Sequence, residues 1–150
     1  MVDPLKLIAL DKDDLEVVSA HLQDSAIKTG EVFWRPHEKR VVIALDRFDW
    51  EAAHGAGTWR RRRAALRFER VLSCKCKGVD CGDKTKSLNL LAIDFAEQDA
   101  PAGMVTLLFE GGAALRMEVE CLEAELADLG PVWAADCCPE HDLEGKTATA

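Results

Sequence analysis

The chain has 150 residues, a hydrophobic share of 48% and a formal net charge of −8. A chain of this length and apolar content folds most simply as one domain with a real core, which excludes wholesale disorder. The negative charge disfavours nucleic acid and anionic membrane surfaces as general partners, because both are polyanions. We therefore predict one globular domain over residues 1–135 and a flexible C-terminal arm over residues 136–150, where no periodicity is left.

The N-terminal sequence carries no recognisable targeting signal. Residues 1–6, MVDPLK, lack a basic stretch followed by an apolar core. No apolar run in the chain approaches the roughly 18 residues that a membrane-spanning helix needs. The sequence therefore predicts a cytoplasmic protein without a membrane span, in which the six cysteines are thiols.

The first elements are a short strand over residues 5–10 and a helix over residues 12–27. Asp11 is a typical N-cap residue, and acidic residues follow it in the first turn, where the helix dipole favours negative charge. The apolar stripe that predicts the helix consists of Leu15, Val18, Leu22 and Ala26. Further strands are predicted, by alternation or by short apolar runs, over residues 31–35, 40–45, 63–69, 88–95, 104–110 and 114–120, with residues 71–79 as a bent continuation of the strand at 63–69.

The segment from Met104 to Trp133 carries the clearest pattern in the chain. Gly111 and Gly112 separate the last two predicted strands, which favours a tight hairpin because both glycines can adopt positive φ. Beyond residue 120 the leucines at 122, 126 and 129 have the spacing of one helix face. A glycine and a proline follow at 130 and 131, which is typical of a helix end. The segment predicts a hairpin followed by a C-terminal helix.

These elements together predict an α+β fold. About seven strands follow one another without intervening helices, so the sheet is expected to be mainly antiparallel. We interpret the sheet as strongly curled, with an early helix and with the C-terminal helix capping one end through Leu122, Leu126 and Leu129. This order of elements resembles the pleckstrin-homology-like barrel.

Several blocks of the sequence resemble an uncharacterised bacterial family of about this length. The similar blocks are residues 5–10, 17–24, 47–50, 111–121 and, most specifically, LGPVW at 129–133. The family is filed as a domain of unknown function and is found mainly in alphaproteobacteria. The resemblance spans roughly residues 5–135 and implies a single-domain cytoplasmic protein. It implies no activity, cofactor or catalytic residue.

Cys74, Cys76 and Cys81 form the sharpest local cluster of chemically reactive side chains. Three thiolates at such short spacing could hold zinc, with Cys137, Cys138 or His141 as the fourth ligand. The spacing departs from the usual paired motif, because the first two cysteines are separated by only one residue. The alternative interpretation is that they are buried or incidental thiols, since free cysteine behaves as a small hydrophobic residue.

Arginine is concentrated in one predicted strand and in the residues that lead into it, with four consecutive arginines at 60–63. On a strand, Arg61, Arg63 and Arg67 would share the solvent face. Guanidinium groups there could recognise phosphate or carboxylate groups, because their planar fork matches both. The alternative is a solvated strand face on which the arginines pair with acidic residues of neighbouring strands.

The sequence contains no catalytic constellation that would favour an enzyme. It has no phosphate loop, dinucleotide fingerprint or nucleophile elbow. We therefore interpret the chain as a non-catalytic binding or interaction domain that uses Arg61, Arg63 and Arg67 to bind a protein or a small anionic ligand. No nucleic acid and no cofactor is expected. The alternative hypothesis is a zinc–thiolate protein or an enzyme that uses Cys74, Cys76 and Cys81.

Overall fold

The computed structural model describes residues 4–50, 53, 59–78 and 84–134, with the backbone only for 131–134. The described residues form one α-helix, two short 3₁₀ helices and ten strands. The helix α1 spans Lys12–Leu22, and the 3₁₀ helices span Thr29–Glu31 and Pro36–Glu38. The strands are β1 Lys6–Ala9, β2 Ala26–Lys28, β3 Val32–Arg35, β4 Arg40–Phe48, β5 Arg60–Phe68, β6 Val71–Lys77, β7 Ser87–Glu97, β8 Gly103–Phe109, β9 Ala114–Val119 and β10 Ala124–Ala134.

All strand pairs are antiparallel, as the sequence predicts. The strands follow the order β1-β10-β5-β4-β2-β7-β8-β9-β6, and β3 pairs with β4. The terminal strands β1 and β6 are not paired with each other within the described residues, so the sheet is open. The prediction of about seven strongly curled strands in a pleckstrin-homology-like barrel is therefore wrong. No helix among the described residues is long and apolar enough to cross a membrane.

The predicted C-terminal capping helix is also wrong, because its residues form β10. Leu122 and Leu126 are four residues apart, a spacing that places them on one side of a helix and equally on one side of a strand. Both are buried, at 4% and 0% exposure, whereas Leu129 is 53% exposed. The alternation of half-buried and buried residues from 121 to 127 has period two. Hydrogen bonding to β1 and β5 on its two sides outweighs the helical propensity of this segment.

Gly130 and the proline at 131 mark an irregularity within β10. Gly130 has φ of 110°, which favours glycine, and the register with β5 shifts between Asp128 and Val132. Proline is tolerated in a sheet at such a bulge. Gly130 and the proline therefore mark an irregularity inside a strand, at the position where the sequence predicted the end of a helix. The predicted C-terminal arm at 136–150 lies outside the described residues.

The early helix and its cap are confirmed, although α1 ends at Leu22 and not at residue 27. The Asp11 side chain accepts a hydrogen bond of 2.8 Å from the Asp14 N–H. Asp24 has φ of 67°, and Ala26 then enters β2. On the sheet side, the Ser19 hydroxyl accepts a 2.9 Å hydrogen bond from the Ile93 N–H of β7.

The hairpin between β8 and β9 is confirmed as well. Gly111 and Gly112 both have φ of 88°, the conformation for which glycine was expected. The connection is longer than a two-residue turn, since the Phe109 N–H donates to the Ala113 carbonyl at 2.9 Å.

The buried face of β4, β5 and β10 consists of aligned rows of side chains. The first two rows are apolar: Val41, Phe68 and Ala124, then Ile43, Leu66 and Leu126. They belong to a hydrophobic cluster that also includes residues of α1, β7, β8 and β9. The strands β1, β10, β5 and β4 and the strands β7, β8 and β9 therefore share one hydrophobic core.

The next rows replace apolar side chains by a buried ion pair. Arg47 of β4 and Asp128 of β10 flank β5, and both side chains have 0% exposure. Nε and Nη2 of Arg47 each donate to an Asp128 carboxylate oxygen at 2.8 Å. Ala64 of β5 stands opposite Asp128 in the register, and its small side chain leaves room for the guanidinium to cross. The pair therefore links the two neighbours of β5.

The same carboxylate also fixes the first strand. Asp128 Oδ2 accepts a 2.7 Å hydrogen bond from the Leu5 N–H, and the Asp128 N–H donates to the Leu5 carbonyl at 2.9 Å. Burial raises the pKa of Asp128, but the hydrogen bonds from Arg47 and Leu5 and the charges of Arg47 and Arg62 outweigh it and lower that pKa. Asp128 is therefore held as a carboxylate.

Arg62 and Arg60 extend this network to a second buried carboxylate. Their Nε atoms donate to Asp49 Oδ2 at 2.7 Å and 2.9 Å, and the Asp49 side chain has 0% exposure. The Asp49 N–H also donates to the Arg60 carbonyl at 2.9 Å. The network therefore holds the segment that follows β4 against the beginning of β5.

Replacing Asp128 by asparagine leaves Arg47 buried without its counter-charge. Because removal of one partner of a buried ion pair costs about 3–5 kcal/mol, we expect Asp128→Asn to lower the free energy of unfolding by that amount at neutral pH. The folded-state pKa of Asp128 is lowered, so its stabilisation is present above the ordinary carboxyl pKa and is lost as the pH falls through the folded value. Chemical denaturation across a pH series measures both effects.

The wild-type protein and the Asp128→Asn variant should therefore converge in stability in acid. Glu16→Gln, a substitution on the exposed face of α1, is the control and should follow the wild type throughout. A deficit in Asp128→Asn that stays undiminished at about pH 2 would contradict the electrostatic role of the carboxylate.

The stability losses caused by alanine at Leu126 and at Leu129 distinguish the observed strand from the predicted helix. We expect Leu126→Ala to lower the free energy of unfolding by about 2–5 kcal/mol, because it opens a cavity in the core. Leu129→Ala should change it by less than about 0.5 kcal/mol, because its side chain is on the surface. Equal losses for both variants in urea titrations would instead favour a helix that buries both leucines.

Candidate binding cavity and arginine face

A cavity of about 350 Å³ lies between β3 on one side and β6, β7, β8 and β9 on the other. β2 and β3 lie along the same edge of β4, but only β2 continues the sheet to β7. A gap therefore opens beside β3. Its volume is within the range of small-molecule sites, which is roughly 300–1,000 Å³.

The lining of this cavity is mainly apolar. Val32 and Trp34 of β3 form one wall, with Phe33 beside them, and Cys74 and Cys76 of β6 form the other. The floor consists of three buried side chains: Leu88, Phe109 and Leu115. Alternation along β3 directs Val32 and Trp34 towards the core, where both pack against the buried cluster.

A backbone contact lies at one end of the cavity. At the end where β3 begins, the Gly30 N–H donates to the Lys84 carbonyl at 3.0 Å. A Cβ atom on residue 30 would lie 2.8 Å from the Lys84 carbonyl oxygen, so this close approach requires glycine.

Lys84 supplies positive charge at this end. It lines the cavity and is exposed, and no ion pair joins it to another described residue. Thr29 is the other polar side chain there. The cavity therefore offers an apolar interior with a cation beside it.

Two of the three predicted metal-binding cysteines lie in the wall of this cavity. Cys74 is half-buried and Cys76 is exposed, and the register places them opposite Met117 and Leu115 of β9. Cys81, like the proposed fourth ligands at 137, 138 and 141, lies outside the described residues. Within the part of the chain that the structure describes, no group of three or more metal-binding side chains is found. The three-cysteine zinc site stays a prediction.

Arg61, Arg63 and Arg67 lie on one face of β5 and are partly exposed. Arg63 forms ion pairs with Asp46, at 3.0 Å, and with Glu31. Arg67 forms ion pairs with Glu69 at 2.9 Å and Glu125 at 3.5 Å. Two of the three arginines are therefore engaged by carboxylates of neighbouring segments.

The third arginine differs, because the partners of Arg61 are backbone carbonyl groups. Its Nη1 donates to the Asp24 and Asp46 carbonyls at 3.2 Å and 3.3 Å. Its guanidinium carbon lies 6.0 Å from the centre of the Phe48 ring. Burial raises the pKa of Asp46, and the charges of Arg61 and Lys28 oppose that rise.

Sequence reasoning did not identify the cavity. Its residues come from β3, β6, β7, β8, β9 and two connecting segments, and their proximity depends on the strand order. One signal was present: the apolar residues Val32 and Trp34 alternate in a strand too short to bury them on its own.

A model of the family described as "protein of unknown function (DUF2948)" matches residues 5–141. This confirms the resemblance to a family of unknown function, whereas the alphaproteobacterial source stays a prediction. No curated protein and no solved structure matches the chain. The comparisons thus supply no activity or ligand.

Proposed function

This chain belongs to the DUF2948 family, and we propose that it is a non-catalytic binding domain whose site is the cavity between β3 and β6. The partner presents an apolar group next to a negative charge. The observation that carries this proposal is the apolar cavity itself, with Lys84 at one end. In this proposal the domain acts in the cytoplasm, as the sequence predicts.

The chemistry of the lining supports binding over catalysis. Histidine, aspartate and glutamate are absent from the cavity wall among the described residues. These are the side chains that most often transfer protons in enzymes. Leu88, Phe109 and Leu115 instead present a surface from which an apolar group would displace water.

Anilinonaphthalene sulfonate is a suitable probe, because it joins aromatic rings to a sulfonate. We expect the folded protein to bind it at one site with increased dye fluorescence. Val32→Phe should weaken binding by about tenfold, because the added ring occupies the cavity. Leu108→Phe is the matched control, since Leu108 is 44% exposed and does not line the cavity.

Lys84→Gln separates the loss of charge from a change in folding, because Lys84 is exposed. It should weaken dye binding and leave the melting temperature unchanged. Dye binding that is the same in wild type, Val32→Phe and Lys84→Gln would overturn the proposal.

A second candidate site is the arginine face of Arg61, Arg63 and Arg67, which would bind an anionic partner. The observation that favours it is that Arg61 is held by carbonyl groups and by the Phe48 ring, without a carboxylate hydrogen bond. An incoming phosphate or carboxylate could therefore approach this guanidinium without first displacing an acidic side chain.

Tripolyphosphate tests the arginine face by calorimetric titration. We expect Arg61→Ala to weaken binding by about tenfold, because the available guanidinium is lost. Arg67→Ala should have a smaller effect, since Glu69 and Glu125 already neutralise Arg67. Equal binding by wild type and Arg61→Ala would remove this candidate.

A further inference from the structure

The outer face of β6, β9 and β8 carries a row of polar and charged side chains. In the register, Lys75 of β6 is opposite Arg116 of β9, and Arg116 is opposite Thr106 of β8. Arg116 alternates with the buried Leu115 and Met117, so the row lies on the side of the sheet away from the core. Lys75 and Arg116 are exposed, and Thr106 is half-buried. The row therefore presents two cations and a hydroxyl group on the surface.

A third cation belongs to the same face. Lys77 is two residues beyond Lys75 on β6, is exposed, and lies opposite Ala114, which is two residues before Arg116. No ion pair joins any of these three cations to another residue that the structure describes. The chain as a whole nevertheless has a net charge of −8. We refer to Lys75, Lys77 and Arg116 as the basic patch.

The carboxylates on this face do not neutralise the basic patch. Asp94 of β7 forms its ion pair with Lys12, at 3.9 Å. Glu118 is two residues from Arg116 on β9, and no ion pair joins it to a described residue. Like charges that face each other directly across two strands destabilise a sheet. Lys75 and Arg116 therefore lower the stability of the fold, and they attract a negatively charged group.

Exposed leucines adjoin the basic patch. Leu108 of β8 lies opposite Ala114 and is 44% exposed. Leu91 of β7 is 38% exposed and lies at the irregularity in the pairing of β7 with β8, next to Leu108. Protein–protein interfaces combine an apolar centre with a polar rim, and arginine is enriched in them. The side chains of this face have the same combination.

We propose that the basic patch and Leu108 form a docking surface for an acidic segment of a partner protein that also carries apolar side chains. Residues directly opposite across two strands have Cβ atoms roughly 4.5–5.5 Å apart, so one carboxylate of the partner contacts both Lys75 and Arg116. An apolar side chain of the partner packs on Leu108. The cavity is lined by Cys74 and Cys76, which alternate with the lysines of β6, so this surface lies on the other side of the strand. The proposal therefore does not depend on the proposed function.

The shape and charge of the surface favour a protein over other anionic partners. The basic patch lies on the outer face of a sheet, whereas small molecules bind mainly in concave sites. Nucleic acid and anionic membranes would contact only these cations and would meet the repulsion of an acidic protein. A second copy that met this surface with its own would bring two basic patches together.

The test uses the full chain and a fluorescein-labelled peptide made of leucine and glutamate. Fluorescence anisotropy should report binding that weakens with added salt. Arg116→Glu should reduce the affinity by about tenfold, because an attraction becomes a repulsion. Lys6→Glu on β1 makes the same change in net charge at the other end of the sheet, and this control should bind the peptide as the wild type does.

Lys75→Glu separates recognition from folding, because it places opposite charges across β6 and β9. It should raise the melting temperature while it reduces the peptide affinity by about tenfold. A purely structural role of Lys75 would instead change stability and binding in the same direction. Leu108→Ser should weaken binding by about fivefold, and Ile8→Ser, at an exposed position on β1, is its matched control.

Two further peptides identify the groups that are recognised. Replacing every glutamate by glutamine should abolish binding, and replacing every leucine by serine should weaken it by about tenfold. Equal binding of either peptide, or equal losses in Arg116→Glu and Lys6→Glu, would overturn the proposal. A labelled oligonucleotide that bound more tightly than the peptide would also overturn it. So would a dimer in sedimentation that Arg116→Glu dissociated, because a second copy would then occupy the surface.

Discussion

The buried ion pair of Arg47 and Asp128 sets the alignment of β1, β10, β5 and β4. It joins β4 to β10 across β5, and through the Leu5 N–H it also reaches β1. A buried ion pair contributes little net stability compared with apolar residues of similar volume, but an unpaired charge in its place is strongly destabilising. Any register that separated these two residues would therefore be disfavoured. The pair selects one alignment of four strands, and the apolar rows above it then pack in that alignment.

Much of the secondary structure could be predicted from local pattern, and the errors have a common physical cause. The hairpin at Gly111 and Gly112 and the N-cap at Asp11 depend on residues close together in sequence. The C-terminal segment does not, because leucines at 122 and 126 fit periods of 3.6 and 2 equally well. What decides between them is the pairing of β10 with β1 and β5, which come from distant parts of the chain. One local clue was available: Asp128 continues the alternation of Leu122, Ala124 and Leu126, as Arg47 continues that of Ile43 and Leu45.

The site was less predictable than the fold for the same reason. Counting arginines identified Arg61, Arg63 and Arg67 as a shared face, but the pairing of Arg63 with Glu31 and of Arg67 with Glu125 depends on long-range contacts. The density of charge in a sequence does not show which charges are already neutralised. Lys75 and Arg116 belong to no charge cluster in the sequence. In the structure they face each other across two strands without a carboxylate partner in the described region. A cation without an ion-pair partner binds an anion more readily than a cation that already has one, because no existing ion pair has to be broken first.

The cavity has its structural origin in the unequal lengths of the strands beside it. β4 is long enough to pair with two short strands along one edge, β2 and β3, and the sheet continues only from β2. β3 is left with its apolar residues directed at a space that no described strand occupies. Across that space lies β6, which is the last strand in the order. If β3 paired with β6, the sheet would close and the cavity would disappear. An open sheet with a shared core thus keeps a gap between β3 and β6 that is lined mainly by apolar side chains, which is the usual character of a small-molecule site.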